Sequence, residues 1–164
     1  MSPFKSILLI RHAKAEQDVF KEDIKRDLAK KGIADCELMG KRLASEKIVP
    51  DVVFISPSNR TIQTSELVSN LAGWDKGRIQ IMNELYLAPL QTLISVIKRT
   101  PENVNSIAII GHNEGITELF NSLSRNYIDN LPTCGTAYFE FNENQWSKCV
   151  NDNGFLKFYS SPKV

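Results

Sequence analysis

Three short runs of apolar residues constrain this chain most: Ile7-Leu8-Leu9-Ile10, Val52-Val53-Phe54-Ile55 and Ile107-Ala108-Ile109-Ile110. None alternates with polar residues. Runs this short and dense are expected of strands covered on both faces, and such strands belong to parallel sheets flanked by helices. The expected strands cover residues 4–10, 51–55 and 106–110, with a shorter fourth at 79–82.

The segments between them read as helices. Leu28, Ile33, Cys36, Met39, Gly40 and Leu43 recur at helical steps, with lysines and acids between them, and Pro50 ends that segment. Ser56-Pro57 reads as a hydroxyl cap followed by a first-turn proline, opening a helix through Ile62, Leu67, Val68 and Leu71 that Gly73 stops. Pro89 opens another with Leu90, Leu93, Ile94 and Ile97 inward, and Ile116, Leu119, Phe120 and Leu123 mark a fourth. The tail changes to alternation over 136–141, 146–150 and 155–159, with Asn- and Gly-containing turns between, as in antiparallel edge strands. No repeat or linker interrupts the 164 residues, so one domain spanning 1–164 is expected. The fold class is α/β: a three-layer sandwich with a largely parallel central sheet, an antiparallel edge, and helices on both faces.

Twenty basic residues against nineteen acidic leave a formal net charge of +1. That balance argues against nucleic acid as a partner, although one local basic pocket remains compatible with it. The apolar run at the start is too short for an export signal or a membrane span, so a cytoplasmic protein with no membrane partner is expected. Three cysteines without repeated spacing do not suggest a disulfide framework.

The chemistry is marked by the only two histidines. His12 lies two residues past the first strand, and His112 two residues past the strand at 106–110. Arg60 follows the strand at 51–55, just inside the next helix. Ligands of open parallel sheets bind at the carboxyl ends of the strands, so Arg11, His12, Arg60 and His112 are delivered to one edge. A histidine at a strand end is ordinarily a polar loop residue, and an arginine there a solvated charge; the joint placement of all four is what asks for a function. Two guanidiniums and a helix N-terminus can grip phosphate oxygens, one neutral imidazole can attack phosphorus, and a second, protonated one can stabilise the equatorial oxygens.

These residues carry a family resemblance. Leu9-Ile10-Arg11-His12-Ala13 resembles the Arg-His-Gly signature of the histidine phosphatase (phosphoglycerate mutase-like) superfamily. Residues 56–64, SPSNRTIQT, resemble its Ser-Pro-x-x-Arg-x-x-Gln-Thr motif, and Gly111-His112-Asn113 its second histidine segment. Arg-His-Ala-Lys-Ala, and Arg26-Asp27-Leu28-Ala29-Lys30-Lys31-Gly32 in place of Arg-Pro-Leu-Thr-x-x-Gly, resemble the SixA-type phosphohistidine phosphatases, lacking that group's proline and threonine. The resemblance implies His12 as a nucleophile carrying a covalent phosphoryl group, with Arg11, Arg60 and His112 as phosphate pocket. It also implies that Glu84 falls where many members hold a proton donor. A phosphohistidine leaving group, which takes a proton from solvent, has less need of one. Arg26 is a candidate for the substrate rim. The implied substrate is phosphohistidine on a protein, such as a signalling phosphotransfer domain. The short stretch between Thr64 and Glu84 leaves little room for the insertion that encloses small metabolites.

Cys36-x5-Arg42 has the spacing of cysteine phosphatases, but Cys36 falls within a helix on its apolar face, where it reads as core. Two distant histidines without a third ligand make a poor metal site, and neither metal nor cofactor is expected. A phosphatase of a small phosphorylated metabolite, and a non-catalytic module that binds phosphoproteins, remain as alternatives. The second has no use for a nucleophile such as His12.

Overall fold

The computed structural model describes residues 5–163. Phe4, where the first strand is expected to begin, lies outside the described residues. Six strands form one sheet: β1 (Lys5–Arg11), β2 (Val52–Ile55), β3 (Ile79–Ile81), β4 (Ser106–Gly111), β5 (Thr136–Phe141) and β6 (Phe155–Ser160). Their spatial order is β3-β2-β4-β1-β5-β6, the first four parallel and the last two joined antiparallel. Four helices, α1 (Lys30–Ser45), α2 (Asn59–Ala72), α3 (Leu90–Arg99) and α4 (Gly115–Leu123), complete the three layers.

The central strands present side chains alternately to the two faces, and both faces are covered. Leu8, Ile10, Val53, Ile55, Ala108 and Ile110 pack under α1 and α2 against Cys36, Met39, Leu43, Val68 and Ala72. Ile7, Leu9, Phe54, Ile107 and Ile109 pack under α3 and α4 against Leu93, Val96, Ile97, Ile116, Leu119 and Phe120. This double burial is why the three apolar runs are unbroken. Each wholly buried Leu or Ile contributes about 1.5–3 kcal/mol relative to exposure.

The register of these strands prepares the site. Ile10 pairs with Ile110, and Ile110 with Ile55, so β1, β4 and β2 run level up to their carboxyl ends. Arg11 stands beside Gly111, and His12 N prolongs the ladder by donating to Gly111 O at 3.0 Å.

Several local expectations are corrected. The cap of α2 is Ser58, whose hydroxyl accepts from Thr61 N, and not Ser56, which is freed for another bond. Gly73 ends α2 with φ 78°, a left-handed conformation that costs glycine nothing. Leu28 precedes α1 instead of belonging to it, and Ile33 and Leu71 are solvent-exposed, so the buried stripes are narrower than the apolar spacing suggests. Residues 146–150 do not form a strand. Trp146–Lys148 is a 3-10 turn that buries Trp146 and Cys149, three residues apart. The indole N–H of Trp146 donates to Pro101 O and Val104 O at 3.2 and 3.0 Å, and Lys5 Nζ lies 4.9 Å from its ring centre.

Gly32, early in α1, lies against the segment that follows His12. Lys14 O accepts from Ala29 N at 2.9 Å, and a Cβ on Gly32 would fall 2.2 Å from that same oxygen. The backbone there must move for any side chain to fit. Gly32→Ala is therefore expected to lose about 1–3 kcal/mol of unfolding free energy in urea titration. A variant as stable as the parent would show that this close approach is not required.

Candidate active site

His12 is held from both sides along the chain. Its Nδ1 lies 2.8 Å from Ala13 O, which can only accept, so Nδ1 carries the proton and the Nε2 lone pair is the reactive one. Ala13 N donates to Thr64 Oγ1 at 3.0 Å, and the Thr64 hydroxyl donates to Arg60 O at 2.7 Å, fastening this loop to the first two turns of α2. Arg11 Nη1 donates to Leu131 O at 2.9 Å.

His112, past the end of β4, is buried and its ring centre lies 5.2 Å from that of His12. One ring nitrogen, Nε2, is 2.7 Å from Ser56 Oγ, and the other, Nδ1, is 3.4 Å from Arg60 Nη2. A guanidinium has no acceptor to offer, so Nδ1 accepts and Nε2 donates its proton to Ser56. Tyr86 meets His112 edge-on, with ring centres 5.5 Å apart.

Arg60 is only 2% exposed, and one residue holds its fork. Its Nη1 donates to Asp23 O at 2.8 Å and its Nη2 to Asp23 Oδ2 at 3.0 Å. Tyr86 also donates to Asp23 Oδ2, while Arg26 donates to Asp23 Oδ1 through Nε and Nη2 at 3.2 and 2.8 Å.

These groups surround a cavity of about 570 Å³. Six cations line it, Arg11, Lys14, Arg26, Lys31, Arg60 and Lys163; Asp23 is the one carboxylate among the described lining residues. Burial, and then the nearby guanidiniums, push His12 down to about 4 despite the bond to Ala13 O. Burial, followed by His12 and Arg60, pushes His112 down to about 3. Both imidazoles are neutral near pH 7. The protonated second imidazole expected from the sequence is thus corrected to a neutral one; a dianion seated beside it would favour its charged form. The Tyr86 hydroxyl first, then Arg26 and Arg60, hold the Asp23 carboxyl well below the usual carboxylate range. Nε of Arg11 and Nε of Arg60 are buried without a partner among the described residues. Buried N–H donors in a cationic well call for a ligand rich in acceptor oxygens.

The structure therefore brings Arg11, His12, Arg60 and His112 together, and places Arg26 on the cavity wall. Glu84 is not brought in. It belongs to the 3-10 turn Asn83–Leu85, in which Leu85 takes the buried position, and its carboxylate is bound by Arg99 outside the cavity lining. Cys36 is wholly buried within α1 beside Met39 and Leu43, away from any phosphate loop. Sequence reasoning missed Asp23, Tyr86, Ser56 and Thr64 as site residues. Ser56 and Thr64 stand inside the resembling motif, where in sequence they read only as a cap and a motif position. Asp23, three residues before Arg26, and Tyr86, two after Glu84, carried no separate signal.

The chain matches the family described as the histidine phosphatase superfamily (branch 1) over residues 7–108, a span that ends ahead of His112. An uncharacterized chloroplastic protein of Arabidopsis thaliana is 26% identical over 161 residues, 92% of this chain and 72% of that one. Among solved structures, one from Nakamurella multipartitia assigned as the phosphohistidine phosphatase SixA superposes with a TM-score of 0.83 at 19% identity, covering 98% of this chain and 97% of that one. The protein histidine phosphatase SixA complexed with tungstate gives 0.81 at 22% identity, covering 96% and 97%. A mycobacterial glucosyl-3-phosphoglycerate phosphatase gives 0.66 at 8% identity, covering 96% and 99%. At such identities the structural likeness is one of fold. The family match covers more than half of the chain and takes in both His12, just past β1, and Arg60, in the first turn of α2, and by it the protein belongs to the histidine phosphatase superfamily.

Proposed function

We propose that this protein hydrolyses phosphohistidine through a covalent phosphoryl group on His12. The observation that carries the reading is the state of the acids. Asp23, on the cavity wall, is kept ionised by Tyr86, Arg26 and Arg60, and Glu84 is engaged by Arg99 outside it. Neither is placed to hand over a proton at neutral pH. An alkoxide leaving group needs a proton on the departing oxygen itself, deep in the pocket. A phosphohistidine has a second ring nitrogen that takes its proton from water, after which the imidazole leaves neutral. The likeness of fold to SixA proteins supports the same substrate class.

In the first step Nε2 of His12 bonds to phosphorus as the P–N bond of the substrate breaks. Arg11 and Arg60 hold peripheral oxygens, and His112, taking up a proton on Nδ1 beside the dianion, donates to a third, with Arg26 at the rim. In the second step water attacks phosphorus on the face the leaving group has vacated. The Nε2–P bond breaks, a water proton goes to solvent, and inorganic phosphate departs. Because Nδ1 already donates to Ala13 O, the nucleophilic nitrogen is selected before substrate arrives.

The deciding experiment compares rates on a phosphohistidine protein, on phosphoramidate and on a panel of sugar phosphates. Preference for the sugar phosphates would make the protein a metabolite phosphatase of the same fold. His12→Ala is expected to lose about 10⁴-fold or more in phosphoramidate turnover and to trap no radiolabelled phosphate; normal turnover would refute the nucleophile. Glu84→Gln is expected to stay within about twofold of the parent on phosphohistidine, whereas loss of a true general acid costs ~10²–10⁴.

The pH dependence follows from the histidines. The neutral form of His12 is the attacking one, so kcat/KM, after allowance for the substrate's own titration, is expected to fall only as pH drops towards about 4, the value for His12, and not near 6.5. Stability moves the same way. The unfolded histidines bind protons from 6.5 downward and the folded ones only near 4 and 3, so Tm is expected to fall as pH is lowered through that window. A Tm that is flat or rising from pH 6.5 to 4 in wild type, against a falling one in His12→Ala, would contradict the assignment.

A further inference from the structure

The segment between His12 and α1 makes an excursion whose tip is unusual in composition. Asp18, Val19, Phe20 and Lys21 form a turn in which Lys21 N donates to Asp18 O at 3.3 Å and Phe20 N to Asp18 Oδ1 at 2.9 Å. The base is braced. Glu16 N donates to Asp27 O at 2.9 Å, Arg26 Nη1 to Glu16 O at 2.9 Å, and Lys21 Nζ pairs with Asp27 Oδ2 at 2.9 Å. Central turn positions ordinarily fall to Gly, Asn, Asp, Pro or Ser. Here they are Val19 and Phe20, which are 88% and 97% exposed. Single apolar residues scattered on a surface need no explanation, but two adjacent ones held out by a braced turn do.

The turn stands at the mouth of the catalytic cavity. Gln17 before it, and Asp23 and Arg26 after it, all line that cavity. Leu87 lines it as well, half-exposed and with φ 49°, a region that residues with a branched side chain seldom adopt. The cavity is ringed by cations, and beside its mouth stand two apolar side chains, Val19 and Phe20, that no other described residue covers.

We propose that Val19 and Phe20, with Leu87, form an apolar rim that docks a folded, acidic protein presenting its phosphohistidine to His12. The inference rests on the phosphohistidine reading above. Two observations select this occupant. Six lining cations against one carboxylate complement an acidic surface. The cavity wall also takes in Gln17, two residues before Val19, and Asp23, three after Phe20, so a protein that reaches His12 lies against the turn. A small metabolite held among the arginines has no part that would cover Phe20. An exposed aromatic beside a charged well is the kind of anchor that dominates binding energy in protein interfaces.

The test uses the full chain and a histidine phosphotransfer domain phosphorylated with phosphoramidate. Phe20→Ser and Val19→Ser should each lower kcat/KM on the domain about tenfold, through KM and with kcat kept, while phosphoramidate turnover stays at the parent rate. The parent's KM for the domain should rise with salt more steeply than that for phosphoramidate. Unchanged kinetics on the domain, or equal losses on both substrates, would overturn the rim. A concentration-dependent dimer in size-exclusion chromatography that Phe20→Ser abolishes would give the rim to a second copy and overturn it too. If the parent hydrolyses sugar phosphates but not the domain, the underlying substrate reading fails, an outcome the variants cannot mimic.

Discussion

The level register of β1, β4 and β2 is the constraint from which the rest follows. Ile10, Ile110 and Ile55 are cross-strand partners, so the chain leaves three neighbouring strands at one height. Adjacent strands lie about 4.8 Å apart. Residues one position beyond the ends of β1 and β4 must then be neighbours, and the 5.2 Å between the rings of His12 and His112 is that spacing carried past the sheet. A slip of one residue in β1 would turn His12 to the opposite face and carry Ile7 and Leu9 with it. The same apolar packing that stabilises the sheet therefore holds the two imidazoles in place.

Placing two imidazoles and three guanidiniums round one cavity carries an electrostatic cost, and the fold meets it in two ways. The histidines give up their protons, as burial and the surrounding positive charge require. Asp23 supplies the compensating negative charge, gripping Arg60 with both its carbonyl and its carboxylate and Arg26 with the other oxygen. The guanidiniums are thus oriented by the protein, and binding energy from an incoming phosphoryl group is not spent arranging them. The carboxylate that performs this task is, for the same reason, unable to serve as an acid.

What was legible in the chain, and what was not, divides along physical lines. The central strands were readable because burial on both faces leaves no polar residue in them. Arg11, His12, Arg60 and His112 were readable because strand ends in a parallel sheet converge. Residues 146–150 were misread because alternation over five residues does not distinguish a strand from a turn that buries Trp146 and Cys149. Glu84 could not be placed from sequence because position in sequence is not position in space, and the neighbouring Leu85 claims the interior. Asp23 and Tyr86 were invisible because their meeting joins residues 63 positions apart and depends on how two loops fold over the cavity.

The motif at the start of α2 shows why so few of its residues need touch a substrate. Arg60 faces the cavity, yet its neighbours in sequence secure everything around it. Arg60 itself fixes the tautomer of His112, Ser56 accepts the proton that this leaves on Nε2, and Thr64 ties down the loop after His12. Gln63 accepts from Leu28 N at 2.8 Å and donates to Asp27 at 2.9 Å, and Asn59 donates to Lys25 O at 3.0 Å, so the segment carrying Asp23 and Arg26 hangs from the same helix. The start of α2 and the residues just before it thus reference the nucleophile, the second histidine and the rim to a single frame. A site that must hold its groups to within about half an ångström is better served by such a shared frame than by separately anchored loops. That economy is why nine residues in sequence carry so much of a constellation drawn from the whole sheet.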